Sequence, residues 1–415
     1  MEKVLLVTVK LQSEKDDFKV EEVTSELEKL IYSCGGEVVE NIYCKLERPT
    51  PNLFIGRGKT EEICFLCEKN NIDTVVFSCN ISPTQQRNLE EIIKRKTIDH
   101  TQLILDIFAQ HALSPEGKAQ VELAQLEYLL PRLTGKGIML SRLGGGIGTR
   151  GPGEQKLEVD RRKIKRRINK LKEYLRDIHR HRKIIRNRRR EKQIPTIALV
   201  GYTNVGKSTL LSALTGVHQR IDDSFFTTLD PLSKALKLTN GQRVIFTDTV
   251  GFFHNLPHHL IEAFKATLEE VQEADIIIHV LDACSPWVYS HYKVVMDVLK
   301  ELGVENKPLI TVLNKIDLLI NKDILERLQR DFSAAIPISA KLNQNLELLL
   351  KAIEKQLASR FIHIRTKLPL NRMDLVNLFY EQGKIEKISF SEKEIKIEAN
   401  LPVNLVDKLL KINNL

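Results

Sequence analysis

Eight consecutive residues, Gly201-Tyr202-Thr203-Asn204-Val205-Gly206-Lys207-Ser208, have the types and spacing of a phosphate cradle. Glycines let backbone N–H groups turn inward around an anion, and a helix N-terminus behind them adds partial positive charge. Lys207 has the reach for the outer phosphates, and a hydroxyl at Ser208 is a Mg²⁺ ligand in such a loop. Asp248-Thr249-Val250-Gly251 follows as D-x-x-G: a carboxylate for the Mg²⁺ shell and an N–H for the outermost phosphate. Asn314-Lys315-Ile316-Asp317 is N-K-x-D. A carboxylate accepts two hydrogen bonds from adjacent donors, which guanine presents and adenine does not. Asp317 therefore selects a guanine base by leaving the wrong base an unpaired polar group. Ser339-Ala340-Lys341 can turn backbone N–H groups toward the guanine oxygen.

Between the loop and D-x-x-G lies Phe225-Phe226-Thr227-Thr228-Leu229-Asp230-Pro231. A hydroxyl there can close over the phosphate and complete the Mg²⁺ shell, and chemistry alone allows either threonine. Many GTPases place a glutamine just after D-x-x-G to orient the attacking water. This chain has Phe252-Phe253, and a phenyl ring neither donates to nor accepts from water in that role. The expectation is slow turnover in isolation, with water aimed by a rearranged switch segment, by His254 or by a docked partner. Asn204 sits inside the loop as it does in potassium-stimulated GTPases that this loop resembles, and that resemblance carries the expectation of a K⁺ ion held beside the phosphates by its side-chain oxygen.

These residues need a scaffold of strands that end where the loops begin. Thr196-Ile-Ala-Leu-Val200, Arg243-Val-Ile-Phe-Thr-Asp248, Asp275-Ile-Ile-Ile-His-Val-Leu281, Pro308-Leu-Ile-Thr-Val-Leu313 and Ile336-Pro-Ile338 are short, apolar and β-branched, as buried strands are. Thr209-Leu-Leu-Ser-Ala-Leu214 reads as a helix leaving the loop. His279 inside its strand reads as a core residue.

Residues 1–100 read as a small α/β domain. Its strands are placed at Val4–Val9, Val38–Ile42 and Asp73–Phe77, and a helix at Phe18–Cys34 is ended by Gly35-Gly36. Gly56-Arg57-Gly58-Lys59 reads as a glycine turn rather than a second phosphate loop, since the full spacing and the following hydroxyl are missing. Residues 101–193 read as a helical hairpin: apolar stripes at Leu103, Ile104, Ile107, Phe108 and at Ala119, Leu123, Leu126, Leu130, a glycine-rich tip at 134–153, and a returning helix from Leu157 to Ile185. The returning helix steps through Ile164, Ile168, Leu171, Leu175, Ile178 and Ile185, an apolar seam with a cationic outer face. Residues 194–358 form the phosphate-loop domain. Residues 359–415 form an α+β tail with strands at Phe361–Ile364, Ile385–Phe390 and Glu394–Glu398 and helices at Met373–Tyr380 and Val403–Lys411. The fold class is α/β multidomain.

The chain has 415 residues and a net charge of +9. Residues 161–192 hold 17 Lys and Arg against three acids, a local +14, so the remainder carries −5. Basicity gathered in one element points to a polyanionic partner gripped at one place. No apolar run reaches the ~18 residues of a membrane helix. The start, Met1-Glu-Lys-Val-Leu-Leu6, lacks the apolar core of a signal peptide. Six cysteines include one Cys64-Phe-Leu-Cys67 with no second pair at zinc-site spacing, so reduced thiols are the expectation.

Beyond the nucleotide motifs, several stretches resemble the HflX family of ribosome-associated P-loop GTPases, and the likeness spans nearly the whole chain. They are Ser82-Pro-Thr-Gln-Gln-Arg-Asn-Leu-Glu90, Gln102-Leu-Ile-Leu-Asp-Ile-Phe108, Gln120-Val-Glu-Leu-Ala-Gln125, Leu130-Pro-Arg-Leu133, Gly144-Gly-Gly-Ile-Gly-Thr-Arg-Gly-Pro-Gly-Glu154 and Asp248-Thr-Val-Gly-Phe252. The resemblance implies a cytoplasmic GTPase that binds the large ribosomal subunit, helps split stalled or idle ribosomes, and reaches ribosomal RNA with its glycine-rich loop; a monomer is a separate expectation. It implies GTP, GDP and Mg²⁺ at the site, and it makes Thr228 the Mg²⁺ threonine, so that Lys207, Thr228 and Gly251 serve turnover. It leaves nucleotide binding at 56–59 open. Asp99-His100-Thr101, His111 and Gly153-Glu-Gln-Lys-Leu-Glu158 depart from the family pattern. The reading from another class is an RNA-remodelling protein that uses GTP only as a conformational switch.

Overall fold

The computed structural model describes residues 1–12, 19–133, 152–191, 194–216, 232–253, 265–358, 361–370, 372–382, 384–391 and 394–402. The phosphate-closing stretch Phe226, Thr227, Thr228, Leu229 and Asp230 lies outside them, as do His254, the glycine-rich residues 134–151 and the terminal helix expected at Val403–Lys411.

The chain opens with β1 (Glu2–Leu11), α1 (Val20–Ser33), β2 (Gly36–Leu46), α2 (Arg57–Lys69), β3 (Thr74–Phe77), α3 (Pro83–Ile93) and β4 (Lys96–Ile98). The four strands form a parallel sheet in the order β2-β1-β3-β4. Side chains alternate across a strand. Leu5 and Val7 therefore fall in one apolar cluster with Ile63 and Leu89 from α2 and α3. Val4 and Leu6 fall in another with Leu27 and Leu30 from α1. Both faces are covered, as a parallel sheet requires. The glycine turn expected at 56–59 is corrected: Gly56 is the N-cap of α2, and Arg57, Gly58 and Lys59 form its first turn. Arg57 pairs with Glu61 and Lys59 with Glu62, both along the helix.

Next come α4 (His100–His111), α5 (Pro115–Arg132) and α6 (Pro152–Glu191). Asp99 caps α4 by accepting from Gln102 N at 2.8 Å, and Ser114 caps α5 by accepting from Gly117 N at 2.9 Å. Helices α5 and α6 run antiparallel, tied by Arg182–Glu116 at 2.8 Å, Lys172–Glu127 at 2.7 Å and Arg167–Glu122 at 2.6 Å. Pro152 and Gly153 belong to α6, and the helix continues past Ile185 to Glu191. The apolar seam is shorter than its spacing suggested. Ile168 and Leu171 are buried, Ile164, Leu175 and Ile178 half-buried, and Ile185 is 50% exposed. At its far end α5 is held by Arg132, whose Nη2 lies 3.0 Å from Asp99 Oδ2. Tyr128 OH donates to the other oxygen of Asp99 at 2.8 Å.

The third unit comprises β5 (Thr196–Gly201), α7 (Lys207–Thr215), β6 (Leu232–Lys237), β7 (Arg243–Asp248), α8 (Lys265–Glu273), β8 (Ile276–Asp282), α9 (Val288–Glu301), β9 (Leu309–Asn314), α10 (Lys322–Asp331), β10 (Ile336–Pro337) and α11 (Leu346–Ala358). Its sheet order is β10-β9-β8-β5-β7-β6, parallel except for the antiparallel edge strand β6. From β5 the chain adds strands first to one side and later to the other. The crevice beyond the end of β5 is therefore the switch point where such sheets bind ligands. Finally β11 (Phe361–Pro369), α12 (Met373–Gln382), β12 (Lys384–Phe390) and β13 (Glu394–Pro402) make an antiparallel sheet in the order β11-β13-β12. No helix among the described residues is long and apolar enough to cross a membrane. None of the six cysteines is in a disulfide. Burial pushes the Cys67 thiol up to about 11.

Candidate functional site

Gly201 ends β5 and Lys207 begins α7, so residues 202–206 are the connection at the switch point. Gly206 has φ +91°, and a Cβ there would stand 2.4 Å from Asn314 Nδ2. Only glycine meets both conditions. Asn314 is buried and joins three loops. Its Nδ2 donates to Val205 O at 2.8 Å, and its Oδ1 accepts from Ala340 N at 3.0 Å. Lys315, at φ +65°, donates from Nζ to Asn204 O at 2.7 Å and pairs with Asp282 at 2.7 Å. The N-K-x-D segment thus braces the outside of the phosphate loop from two sides.

Ser208 and Asp248 meet directly: the Ser208 hydroxyl donates to Asp248 Oδ2 at 2.6 Å. Asp248 has no exposed surface. A half-buried hydroxyl against a buried carboxylate supplies the hard oxygen donors that Mg²⁺ takes from protein. Lys207 is buried, and its Nζ donates to Gly201 O at 3.1 Å and Tyr202 O at 2.7 Å. Burial lowers the Lys207 ammonium from 10.5 to about 8, with Asp248 opposing and Lys315 adding to the shift. A Cβ on Gly251 would stand 2.8 Å from Thr203 Cα and 3.1 Å from Lys207 Nζ. The backbone of D-x-x-G therefore lies directly against the phosphate loop.

Asp317 sits in a 3₁₀ turn, Ile316–Leu318. Its Oδ1 is buried and has no hydrogen-bond partner among the described residues. An orphaned buried carboxylate oxygen fits the N1–H and amino group of a guanine. Ile316 N donates to Ile338 O at 3.3 Å, which sets this turn against the end of β10. Ser339 is buried and its Oγ accepts from Leu342 N at 3.1 Å, shaping the loop that presents Ala340; Lys341 beside it is exposed. Asn204 is exposed at φ +57° and its side-chain amide makes no hydrogen bond among the described residues. Thr249 turns away from the crevice, its hydroxyl donating to Leu199 O at 2.7 Å, and Val250 is core. His279 is buried, stacked on Tyr292 at 5.2 Å, and pushed down to about 3 by burial and by Lys207. It is a neutral core imidazole.

One arrangement escaped sequence reasoning. Tyr202 turns its side chain out of the loop, stacks on His291 of α9 at 3.8 Å, and donates from its hydroxyl to Glu26 of α1 at 2.7 Å. His291 lies 3.5 Å from Glu22, a buried carboxylate on the same helix. These residues line a cavity of about 250 Å³ between α1 and the loop. Glu22 and Glu26, at i and i+4 on one face of α1, were the available signal.

Known proteins match the same segments in the same order. A family described as "GTP-binding GTPase N-terminal" matches residues 21–109, "GTP-binding GTPase Middle Region" matches 111–189, and "50S ribosome-binding GTPase" matches 196–315. The GTPase HflX of Caldanaerobacter subterraneus subsp. tengcongensis is 45% identical over 98% of this chain and 93% of its own length. That of Lacrimispora saccharolytica is 42% identical over 98% and 95%, and that of Escherichia coli 37% identical over 97% and 94%. The chain belongs to the HflX family of GTPases. It is a GTP-hydrolysing enzyme, and its orphaned Asp317 oxygen and Ser208–Asp248 pair suit a guanine nucleotide with Mg²⁺.

Proposed function

We propose that this HflX GTPase docks on the large ribosomal subunit through the α5–α6 hairpin and promotes splitting or rescue of stalled or idle ribosomes. The observation that carries the reading is the outer face of α6. Arg161, Lys165, Arg166, Lys170, Arg176 and Lys183 are exposed and make no ion pair among the described residues. The acids that pair with α6 include Glu116, Glu122 and Glu127 of α5, Glu158, Asp160 and Asp177 of α6 itself, and Glu269 of α8, and they leave this face cationic. A row of lysines and arginines on one helix face is the footprint of phosphate backbone. The "50S ribosome-binding GTPase" description of residues 196–315 supports the same partner.

In this reading the nucleotide lies across β5. The backbone of Gly201, Tyr202, Thr203, Asn204, Val205 and Gly206 surrounds the phosphates. Lys207 and the Gly251 N–H meet the outermost one. Asn314, Lys315, Asp317 and Ala340 hold the base. Ser208, Asp248 and Thr228 hold Mg²⁺, which when bound offsets charge on the transferring phosphoryl group. The Asn204 amide, turned to solvent beside the loop, holds K⁺. The protein works as a cytoplasmic monomer. Cosedimentation with purified ribosomal subunits, with and without a non-hydrolysable GTP analogue, tests the docking. GTP-dependent pelleting with the large subunit and faster turnover in its presence are expected. RNA binding with turnover indifferent to ribosomes would instead make the protein an RNA remodeller with a nucleotide switch.

A further inference from the structure

The two residues after Gly251 are built as core. Phe252 is 3% exposed and Phe253 1%. Phe252 N donates to Gly201 O at 3.1 Å, and Phe252 O accepts from Thr203 N at 2.8 Å, so this backbone is laced to the phosphate loop. The Phe253 ring meets His100 edge-on at 5.9 Å. Neither ring can orient a water, and moving either breaks buried packing.

Thr203 lies against the same corner. It is 6% exposed, and its Oγ1 is buried with no hydrogen-bond partner among the described residues. Its Cα and Cγ2 stand 2.8 and 2.9 Å from where a Cβ on Gly251 would be, and Lys207 Nζ stands 3.1 Å from that point. The Gly251 backbone, the Lys207 ammonium and the methyl of Thr203 therefore converge, and the unpartnered Thr203 hydroxyl sits on the same Cβ, one χ1 rotation from the methyl's place. On the assignment of the site given above, the first two face the terminal phosphate of GTP. A hydroxyl offers one donor and two acceptor positions. Left unpaired in a buried place it is unfavourable, and a phosphoryl oxygen with its attacking water satisfies both functions.

We propose that Thr203 is a catalytic residue, its hydroxyl accepting a hydrogen bond from the attacking water and donating to a γ-phosphoryl oxygen. The proposal rests on the reading of residues 201–208 as the GTP phosphate site. Thr203 takes no proton away. The water oxygen forms the bond to the γ-phosphorus, and the bond from that phosphorus to the β–γ bridging oxygen breaks. GDP leaves with the electron pair, and the water proton ends on the released phosphate. The residue supplies the orientation that position 252 does not.

Thr203→Val keeps the branched shape and removes the hydroxyl. It is expected to lower kcat by roughly 10²-fold, the scale for losing one aligned hydrogen bond in such a site. KM and GDP affinity should stay within about twofold of the parent, since only transition-state contacts are lost. Binding of GDP with aluminium fluoride, followed with a fluorescent nucleotide in the presence of Mg²⁺, should weaken in step with kcat. Thr203→Ser should restore both. The factor by which large subunits stimulate turnover should be unchanged in both variants. Unaltered kcat in Thr203→Val overturns the proposal. So does a joint loss of GDP affinity and turnover that Thr203→Ser leaves in place, which assigns the residue to loop shape. Undiminished GTP binding by Lys207→Ala would instead overturn the site assignment itself.

Discussion

Lys207 makes nucleotide affinity depend on pH in a way the structure quantifies. In the nucleotide-free protein its ammonium is lowered to about 8, chiefly by burial. Against the phosphates of a bound nucleotide it is held protonated, so binding takes up a proton whenever the free protein has lost it. The factor lost is 1 + 10^(pH − pKa), about 1.1 at pH 7 and about 4 at pH 8.5 for a group titrating near 8. GDP affinity should therefore fall about fourfold between pH 7 and 8.5. The window stops short of the ionisation of guanine N1. Equilibrium titration with a fluorescent GDP at constant ionic strength and saturating Mg²⁺ measures it. Lys207→Arg, charged throughout the range, should flatten the profile even where binding is weaker. A profile flat from pH 7 to 8.5 in the parent refutes the reasoning. The sign for folding follows from the same residue. A lysine lowered from 10.5 to about 8 favours the unfolded chain while it is charged, by about 3 kcal/mol. That cost is fully present below pH 8 and fades as pH rises toward 10.5, so through this group alone the nucleotide-free fold gains stability with rising pH only by relief of that cost.

Asp317→Asn should lose GTP affinity by roughly 10²-fold or more and gain affinity for xanthosine triphosphate, because the donor–acceptor pattern at that edge is reversed. An unchanged preference in competition binding removes Asp317 from the base site. Replacing Arg161, Arg166, Lys170 and Arg176 by glutamine should cut the log–log salt slope of ribosome binding by up to about four. GTP binding should be unaltered, and a parent complex insensitive to salt would sink the cationic-face reading. Turnover of the parent should be faster in K⁺ than in Na⁺, and Asn204→Ala should erase the difference; equal rates in the two salts count against an ion at Asn204.

The nucleotide crevice was legible because each motif follows a short apolar, β-branched run, the composition of a strand buried on both faces. Edge elements were harder. Leu232–Lys237 is an antiparallel edge strand whose apolar face is broken by Lys234 between Leu232 and Leu236, and nothing in the residues marked it. The segment Lys96–Ile98 is three residues long, too short for periodicity to register. Gly56 to Lys59 misled because two glycines in four residues suggest a turn. Yet Gly56 has the extended N-cap conformation and Thr60 N closes the first helical bond to Gly56 O, so the surrounding chain decides the matter. In α6 the heptad spacing of Ile185 was real, but α5 starts only at Pro115 and offers no partner there, so the seam ends before the helix does.

Sequence separation hid the contacts that join the units. Tyr202 and Glu26 are 176 positions apart, and no local pattern couples them. In the folded chain one apolar cluster runs from Val4, Leu27 and Leu30 through Ile104 and Phe108 to Leu199, Phe252 and Phe253. Close-packed cores transmit displacement because they have few voids to absorb it. The segment after Gly251 lies inside that cluster, its backbone paired to Gly201 and Thr203 and its second ring against His100 at the start of α4. Asp99, the neighbour of His100, carries the ion pair to Arg132 at the end of α5, immediately before the glycine-rich residues. The phosphate site and the root of the arm are thus joined by the Phe253 and His100 rings, one capped helix and the buried Asp99 carboxylate. Phe252 ties Gly251 to the phosphate loop and Phe253 ties it to α4, so a shift of Gly251 bears on both the nucleotide unit and the helix that Asp99 caps.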